Sequence, residues 1–228
     1  MKRLPVFLFL FTLFIRISII SAQDRPDPKN PENENLAVPV NWNVRVDHAD
    51  QDVNISADEE DADIYFVNMV PGWHITTGPA AIFWHPASTA SGSYRAETLI
   101  HLFDPQGRNE AFGLFFGGNN LDGEDQSYSY FLLRNSGEFL IKNRSGSETS
   151  LVKNWSPAPM MNRYTESSES SVRNHLAVDV SGDQVTFFVN DKEVATVPAT
   201  KLNIDGAVGL RINHRLNVHV EDLSVEQM

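Results

Sequence analysis

The chain contains no cysteine in 228 residues. That excludes a disulfide framework, thiolate metal sites, redox switching and a thiol nucleophile, so a packed core must hold the fold. Positive charge is also scarce, with 18 Lys+Arg against 30 Asp+Glu and a formal net charge of −12. Lys2, Arg3 and Arg16 lie in the first 22 positions, which hold no acid. Without that segment 15 basic residues face 30 acidic ones, a charge of −15. Such a surface repels phosphate backbones and argues against nucleic-acid binding. No segment after residue 22 is apolar enough to span a bilayer. No window shows a capped helical period, so a parallel sheet with crossover helices is excluded.

The first 22 residues are the exception in hydrophobicity. A positive start, Met-Lys-Arg, precedes the apolar run "LPVFLFLFTLFI", and Ser21-Ala22 precedes Gln23. This pattern predicts an export signal over 1–22. Arg16 interrupts the run and Ile20 is bulky for a cleavage site, so an uncleaved anchor is the alternative. Either predicts an exported domain in the periplasm, on the cell surface or secreted. Residues 23–36 carry three prolines and many charges, with nothing to bury a face, and predict a disordered linker. The domain then runs over 37–228.

Within it, short runs of Val, Ile, Phe, Tyr and Thr recur every 8–14 residues between Gly, Asn, Asp or Pro, giving about fourteen strand candidates. In "RLNVHVEDLSVE", Leu216, Val218 and Val220 alternate with Asn217, His219 and Glu221, the period of a strand with one buried and one wet face. "VNDKEV" predicts a hairpin through Asn190-Asp191, and "RNSGEF" a turn through Asn135, Ser136 and Gly137. Residues 162–173 are polar and serine-rich and predict a loop. Strands in this number without helices predict an all-β fold, a two-sheet antiparallel jelly-roll sandwich. Gly117, Gly118 and Gly123 are expected to supply backbone freedom to the connection "NNLDGED".

The stretches "NEAFGLFFGGNNLDG", "YSYFLLRNSGEFLIKNRSG", "NHLAVDVSGDQVTFFVND" and "GAVGLRINHRLNVHVEDLSV", with Trp155 between them, resemble the concanavalin A-like, laminin-G-like jelly rolls of exported bacterial proteins. Within that group the chain is similar to 3-keto-disaccharide hydrolase-type domains and to family sixteen glycoside hydrolases. The resemblance covers about Trp73 to Val225. It implies the fold strongly and an activity weakly, because one sandwich hosts lectins, hydrolases and adhesion modules.

Candidate chemistry follows from residue type and spacing. A retaining glycosidase of this type needs two carboxylates close together on one strand face. The run Glu-x-Asp-x-x-Glu is missing, and "DEEDAD" (58–63) is contiguous and turn-like, so no catalytic residue is carried over from the relatives. Asn119, Asn120, Asp122, Glu124 and Asp125 offer oxygens for a calcium ion, without the spacing of an EF-hand. Zinc finds no support: cysteine is absent, and His214 and His219, five apart, point to opposite faces of a strand. Aromatic rings beside polar groups are the pattern of sugar contacts, a ring packing on the sugar face and amides taking its hydroxyls. Trp84, inside "AAIFWH", is read as core, and Trp73, after Pro71-Gly72, as the more exposed ring. The candidate ligand set is Trp73, His74, Asn119, Asn120, Asp122, Tyr128 and Arg134, with no catalytic residue, no metal and no cofactor assigned. Asn-x-Ser occurs at Asn54, Asn143 and Asn154, which the resemblance to bacterial domains makes accidental. The expected function is an exported, non-catalytic binding module for carbohydrate or another extracellular ligand. The alternatives are a divergent carbohydrate-active hydrolase and an envelope structural or adhesion protein.

Overall fold

The computed structural model describes residues 36–48 and 51–228. The expected signal and all of the expected linker except Leu36 lie outside them. Fifteen strands follow in chain order: β1 Asn43–Val46, β2 Ile55–Ser56, β3 Ile64–Asn68, β4 Trp73–Thr77, β5 Ala81–Ala90, β6 Tyr94–Phe103, β7 Ala111–Asn119, β8 Ser127–Arg134, β9 Glu138–Ser145, β10 Glu148–Pro157, β11 Ser171–Ser181, β12 Gln184–Val189, β13 Lys192–Pro198, β14 Gly206–Ile212 and β15 Asn217–Gln227. One short 3-10 helix, Ala199–Lys201, joins β13 to β14. The strands form a seven-stranded sheet, β1-β5-β14-β7-β8-β9-β10, and an eight-stranded sheet, β13-β12-β11-β6-β15-β4-β3-β2. All pairings are antiparallel except that of the two-residue β2 with β3, a bridge the sequence did not suggest.

The expected turns form for the expected reason. Asn190 (φ 49°) and Asp191 (φ 63°) take the left-handed conformation between β12 and β13, and the Asn135–Gly137 turn joins β8 to β9. Residues 162–170 are a loop, which ends where β11 begins. Gly117 and Gly118 correct the expectation made of them. They lie inside β7, where pairing with β8 shifts register between Phe116 and Asn119, and Gly117 (φ 62°) forms the bulge.

Between the sheets, Phe83, Phe112, Leu114, Phe116 and Phe131 of one meet Phe66, Val178, Phe187, Val218 and Val220 of the other. Edge contacts cross the gap, with Phe66–Phe83 and Phe131–Phe187 centroids both 5.1 Å apart. Leu36, the last residue of the expected linker, is half-buried and packs with Tyr65, Val67 and Met69.

The simple picture of one dry and one wet face does not hold. On the outer face of the seven-stranded sheet, Ile82, Trp84, Phe115, Tyr128, Tyr130, Leu132 and Leu140 form a second buried apolar cluster. On the outer face of the eight-stranded sheet, His74, His101 and His219 are buried as well. The alternation in β15 is real, yet His219 on its polar side is as inaccessible as Val218.

Candidate functional site

The outer face of the seven-stranded sheet is organised by cross-strand rows. Arg45 of β1 stands opposite Ile82 of β5, Ile82 opposite Arg211 of β14, and Arg211 opposite Gly113 of β7. The next row on the same face runs Asn43, Trp84, Gly209, Phe115 and Tyr130. Period two alone places Trp84 here, since its neighbour Phe83 enters the inter-sheet core. Trp84 is buried as expected of it, but in the outer cluster.

Two arginines shape this face. Arg211 donates to both carboxylate oxygens of Asp47, at 2.9 and 2.7 Å, and to Tyr128 Oη at 3.2 Å, and its guanidinium lies 5.1 Å from the Tyr130 ring centroid. Burial alone would push the Asp47 carboxyl up, but the hydrogen bonds and charge of Arg211, with Arg144 farther off, hold it below its ordinary value. Burial raises the hydroxyls of Tyr128 and Tyr130, so both stay neutral. Arg45 reaches the other way. Its Nη1 donates to the carbonyls of Leu121 (2.6 Å) and Gly123 (2.7 Å), tying the 120–126 connection to β1.

That connection forms the rim of a pocket of about 650 Å³ lined by Trp84, Pro86, Thr89, Asn119, Asn120 and Asp122. The rim is internally braced. Asn120 (φ 51°) donates through Nδ2 to Asp125 Oδ2 at 3.0 Å and accepts from the Gly123 N–H at 2.8 Å. Asn119 Nδ2 donates to Asp205 O at 2.8 Å, joining the rim to the segment before β14. Leu121 tucks under it into the outer cluster, while Asn119, Asn120 and Asp122 remain exposed. Trp84 is 5% exposed and closes the floor of the pocket, so the exposed amides and carboxylate of the rim are the groups that can take a ligand's hydroxyls.

Of the seven residues expected to contact ligand, the structure brings Asn119, Asn120 and Asp122 together at this pocket. Tyr128 lies on the same sheet face but is 1% exposed, its hydroxyl engaged by Arg211. Arg134 sits toward the other end of the face, paired with Glu138 at 2.9 and 2.6 Å and stacked 4.0 Å from the Trp155 ring centroid. Trp73 is half-buried against the inter-sheet core, 4.6 Å from the Trp42 ring. His74 is fully buried on the opposite sheet. His74 and Tyr128 are buried, so neither presents the surface expected of it. Sequence reasoning passed over Trp84, Arg45 and Arg211; the alternation in "AAIFWH" was the available signal for the first, and nothing local marked the arginines.

Comparison with known proteins adds the fold's relatives. No family model matches the chain, and no curated protein sequence matches it. Solved structures do. A carbohydrate-binding module, CBM66, from Bacillus subtilis superposes with a TM-score of 0.57 at 12% identity, covering 84% of this chain and 97% of that one. A Bacillus subtilis protein of unknown function with a galectin-like fold gives 0.53 at 11%, over 82% and 89%. The β-glucanase of Bacillus licheniformis gives 0.52 at 9%, over 88% and 96%. All are concanavalin A-like jelly rolls, and so is this chain.

Proposed function

We propose that this protein is an exported carbohydrate-binding module whose ligand enters the pocket over Trp84. The observation that carries the reading is a braced rim of exposed Asn119, Asn120 and Asp122 over a pocket floored by Trp84. A saccharide presents many hydroxyls for hydrogen bonds, and its recognition is electrically neutral, so it tolerates a net charge of −12. The pocket volume of about 650 Å³ lies within the range of small-ligand sites. The sandwich it shares with a carbohydrate-binding module and a β-glucanase supports the same reading.

The test is isothermal titration of the folded domain against a panel of soluble polysaccharides and oligosaccharides, repeated with Asp122→Ala and Asn120→Ala. Saturable heat that falls about tenfold in affinity in either rim variant, with the β-sheet circular dichroism retained, is the expected result. No heat with any member of the panel, or binding indifferent to both substitutions, removes this pocket as the site. Release of reducing sugar during the titration would instead select the hydrolase reading.

A further inference from the structure

On the outer face of the eight-stranded sheet, His101 of β6 stands in register between Arg173 of β11 and His219 of β15. Ile100, Leu102 and Val172 turn into the inter-sheet core, so His101, Ser171 and Arg173 share the outer face. Pairing of β15 with β6 shifts register between Val220 and Asp222, which makes Glu221 the extra residue of a bulge beside His101. Bulges re-aim side chains, and this carboxylate meets the ring. His101 Nε2 and Glu221 Oε1 are 2.5 Å apart. At the other ring nitrogen, His101 Nδ1 lies 3.4 Å from Ser171 Oγ. A hydroxyl, an imidazole and a carboxylate are thus brought into one chain of contacts from positions 70 and 120 residues apart.

The contacts fix the direction of proton flow. An ionised carboxylate only accepts, so in the neutral ring Nε2 carries the proton and Nδ1 turns its lone pair toward the Ser171 hydroxyl. The ring nitrogens are used in the reverse order of the common serine-hydrolase arrangement, but the demand is the same: one nitrogen takes the proton and the other is held by a carboxylate. The Ser171 contact is longer than an ideal hydrogen bond, as catalytic contacts often are before a substrate tightens them. His219, 5.8 Å from His101 between centroids, is lowered to about 4 by burial, so it stays neutral and does not oppose the charge His101 gains. All three groups line a pocket of about 660 Å³ walled by Asn162, Arg163 and Arg173. The wall is anchored: the Asn162 N–H donates to Asn174 Oδ1 at 2.8 Å, and Asn162 Nδ2 donates to Arg173 O at 2.7 Å. Ser171 is 2% exposed at the pocket floor, so only a small acyl group can reach its hydroxyl. The polar wall suits a polar alcohol on the other side of the ester.

We propose that Ser171, His101 and Glu221 form a hydrolytic triad that cleaves short-chain carboxylic esters of polar alcohols. Ser171 Oγ attacks the ester carbonyl carbon and gives its proton to His101 Nδ1, while the carbonyl electron pair moves onto oxygen. The guanidinium of Arg173, next to His101 across the strands, supplies positive charge for that oxyanion. Collapse reforms the carbonyl and breaks the bond to the alcohol, which leaves with the proton from Nδ1. Water then attacks the acyl-serine by the same route, its proton passing through Nδ1 back to Ser171 Oγ as the carboxylic acid departs. Glu221 touches no reacting atom; it is a positioning residue that holds the ring and balances its charge. This site lies on the sheet opposite the Trp84 pocket, so either can fail without the other.

The experiment follows hydrolysis of 4-nitrophenyl acetate and 4-nitrophenyl octanoate by the purified protein. Turnover of the acetate, with the octanoate at least tenfold slower, is expected. Ser171→Ala and His101→Gln each lower kcat by roughly a hundredfold or more. Glu221→Gln lowers kcat while KM stays within about twofold, a split that a merely structural role would not produce. A fluorophosphonate probe on the unaltered protein, located by peptide mass spectrometry, gives a reading that does not depend on the variants folding. The adduct is expected on Ser171. Absence of acetate turnover, turnover that survives Ser171→Ala, or a probe that leaves Ser171 unmodified overturns the triad.

Discussion

Arg211 and Asp47 meet through two parallel hydrogen bonds, 2.9 and 2.7 Å long, although 164 residues separate them. The arginine side chain is 8% exposed and the carboxylate 25%. The pair joins β14 to the residue following β1 and anchors the outer aromatic layer, since the same guanidinium also holds Tyr128.

Removing one partner leaves the other charge buried. Asp47→Ala is therefore expected to destabilise the domain by about 3–5 kcal/mol, the range for a broken buried pair. Arg211→Met, which removes the buried charge and keeps the volume, is expected to cost less. Urea unfolding of both variants followed by tryptophan fluorescence checks the order. Equal losses would show that solvent does not compensate the Asp47 carboxylate once its partner is gone.

The buried His74 and His219 make stability depend on pH. In the fold His74 and His219 titrate near 3 and near 4, whereas an unfolded histidine titrates near 6.5. Between these values the unfolded chain binds more protons, so stability falls as pH falls. The loss begins below about pH 6.5 and continues to about pH 4 for His219 and pH 3 for His74, each group contributing a slope of up to about 1.4 kcal/mol per pH unit. Melting temperatures of the protein from pH 7.5 to 4 measure this. His219→Gln is expected to flatten the profile.

Arg45 governs the rim of the pocket. Arg45→Ala frees the carbonyls of Leu121 and Gly123, and the amides of the 120–126 connection are expected to exchange with deuterium at least several-fold faster. Two hydrogen bonds from one charged group account for about 2–4 kcal/mol of local stability. Because the strands keep their ladders, the global melting temperature should move much less than the local exchange.

Asn190 was legible as a turn residue, and its side chain does more. Oδ1 accepts from the His175 N–H at 2.9 Å, while Nδ2 donates to Met160 O at 2.7 Å and Asn174 Oδ1 at 3.1 Å. Asn190→Gly keeps a residue at ease with φ 49° but removes the latch between the β12–β13 hairpin and the segment before residue 162. A loss of about 1–3 kcal/mol by urea unfolding, with the β-sheet circular dichroism retained, is expected.

Residue order carried the strands and turns because their rules are local. Leu216, Val218 and Val220 alternate whatever their neighbours do, and Asn190-Asp191 tolerates left-handed backbone by its own covalent geometry. The same rules mislocated Gly117 and Gly118, because a bulge within β7 and a loop after it demand the same backbone freedom. The rim residues Asn119, Asn120 and Asp122 were legible as a group because they lie within four positions of one another. Trp84 was read simply as core; its alternation with Phe83 puts it on the outer face, and only the packed sheet shows that this face is buried as well.

The amino-acid sequence by itself determined an all-β chain, the core-facing side of the last strand, and an acidic surface. Only the tertiary structure decided which strands become neighbours and in what register. His74, His101 and His219 are spread over 146 positions, and no local pattern links them. Backbone hydrogen bonding of β4 and β6 to either side of β15 sets them in one row. Register between distant strands is a property of the whole packed sheet, and so the chemistry of that row belongs to the fold.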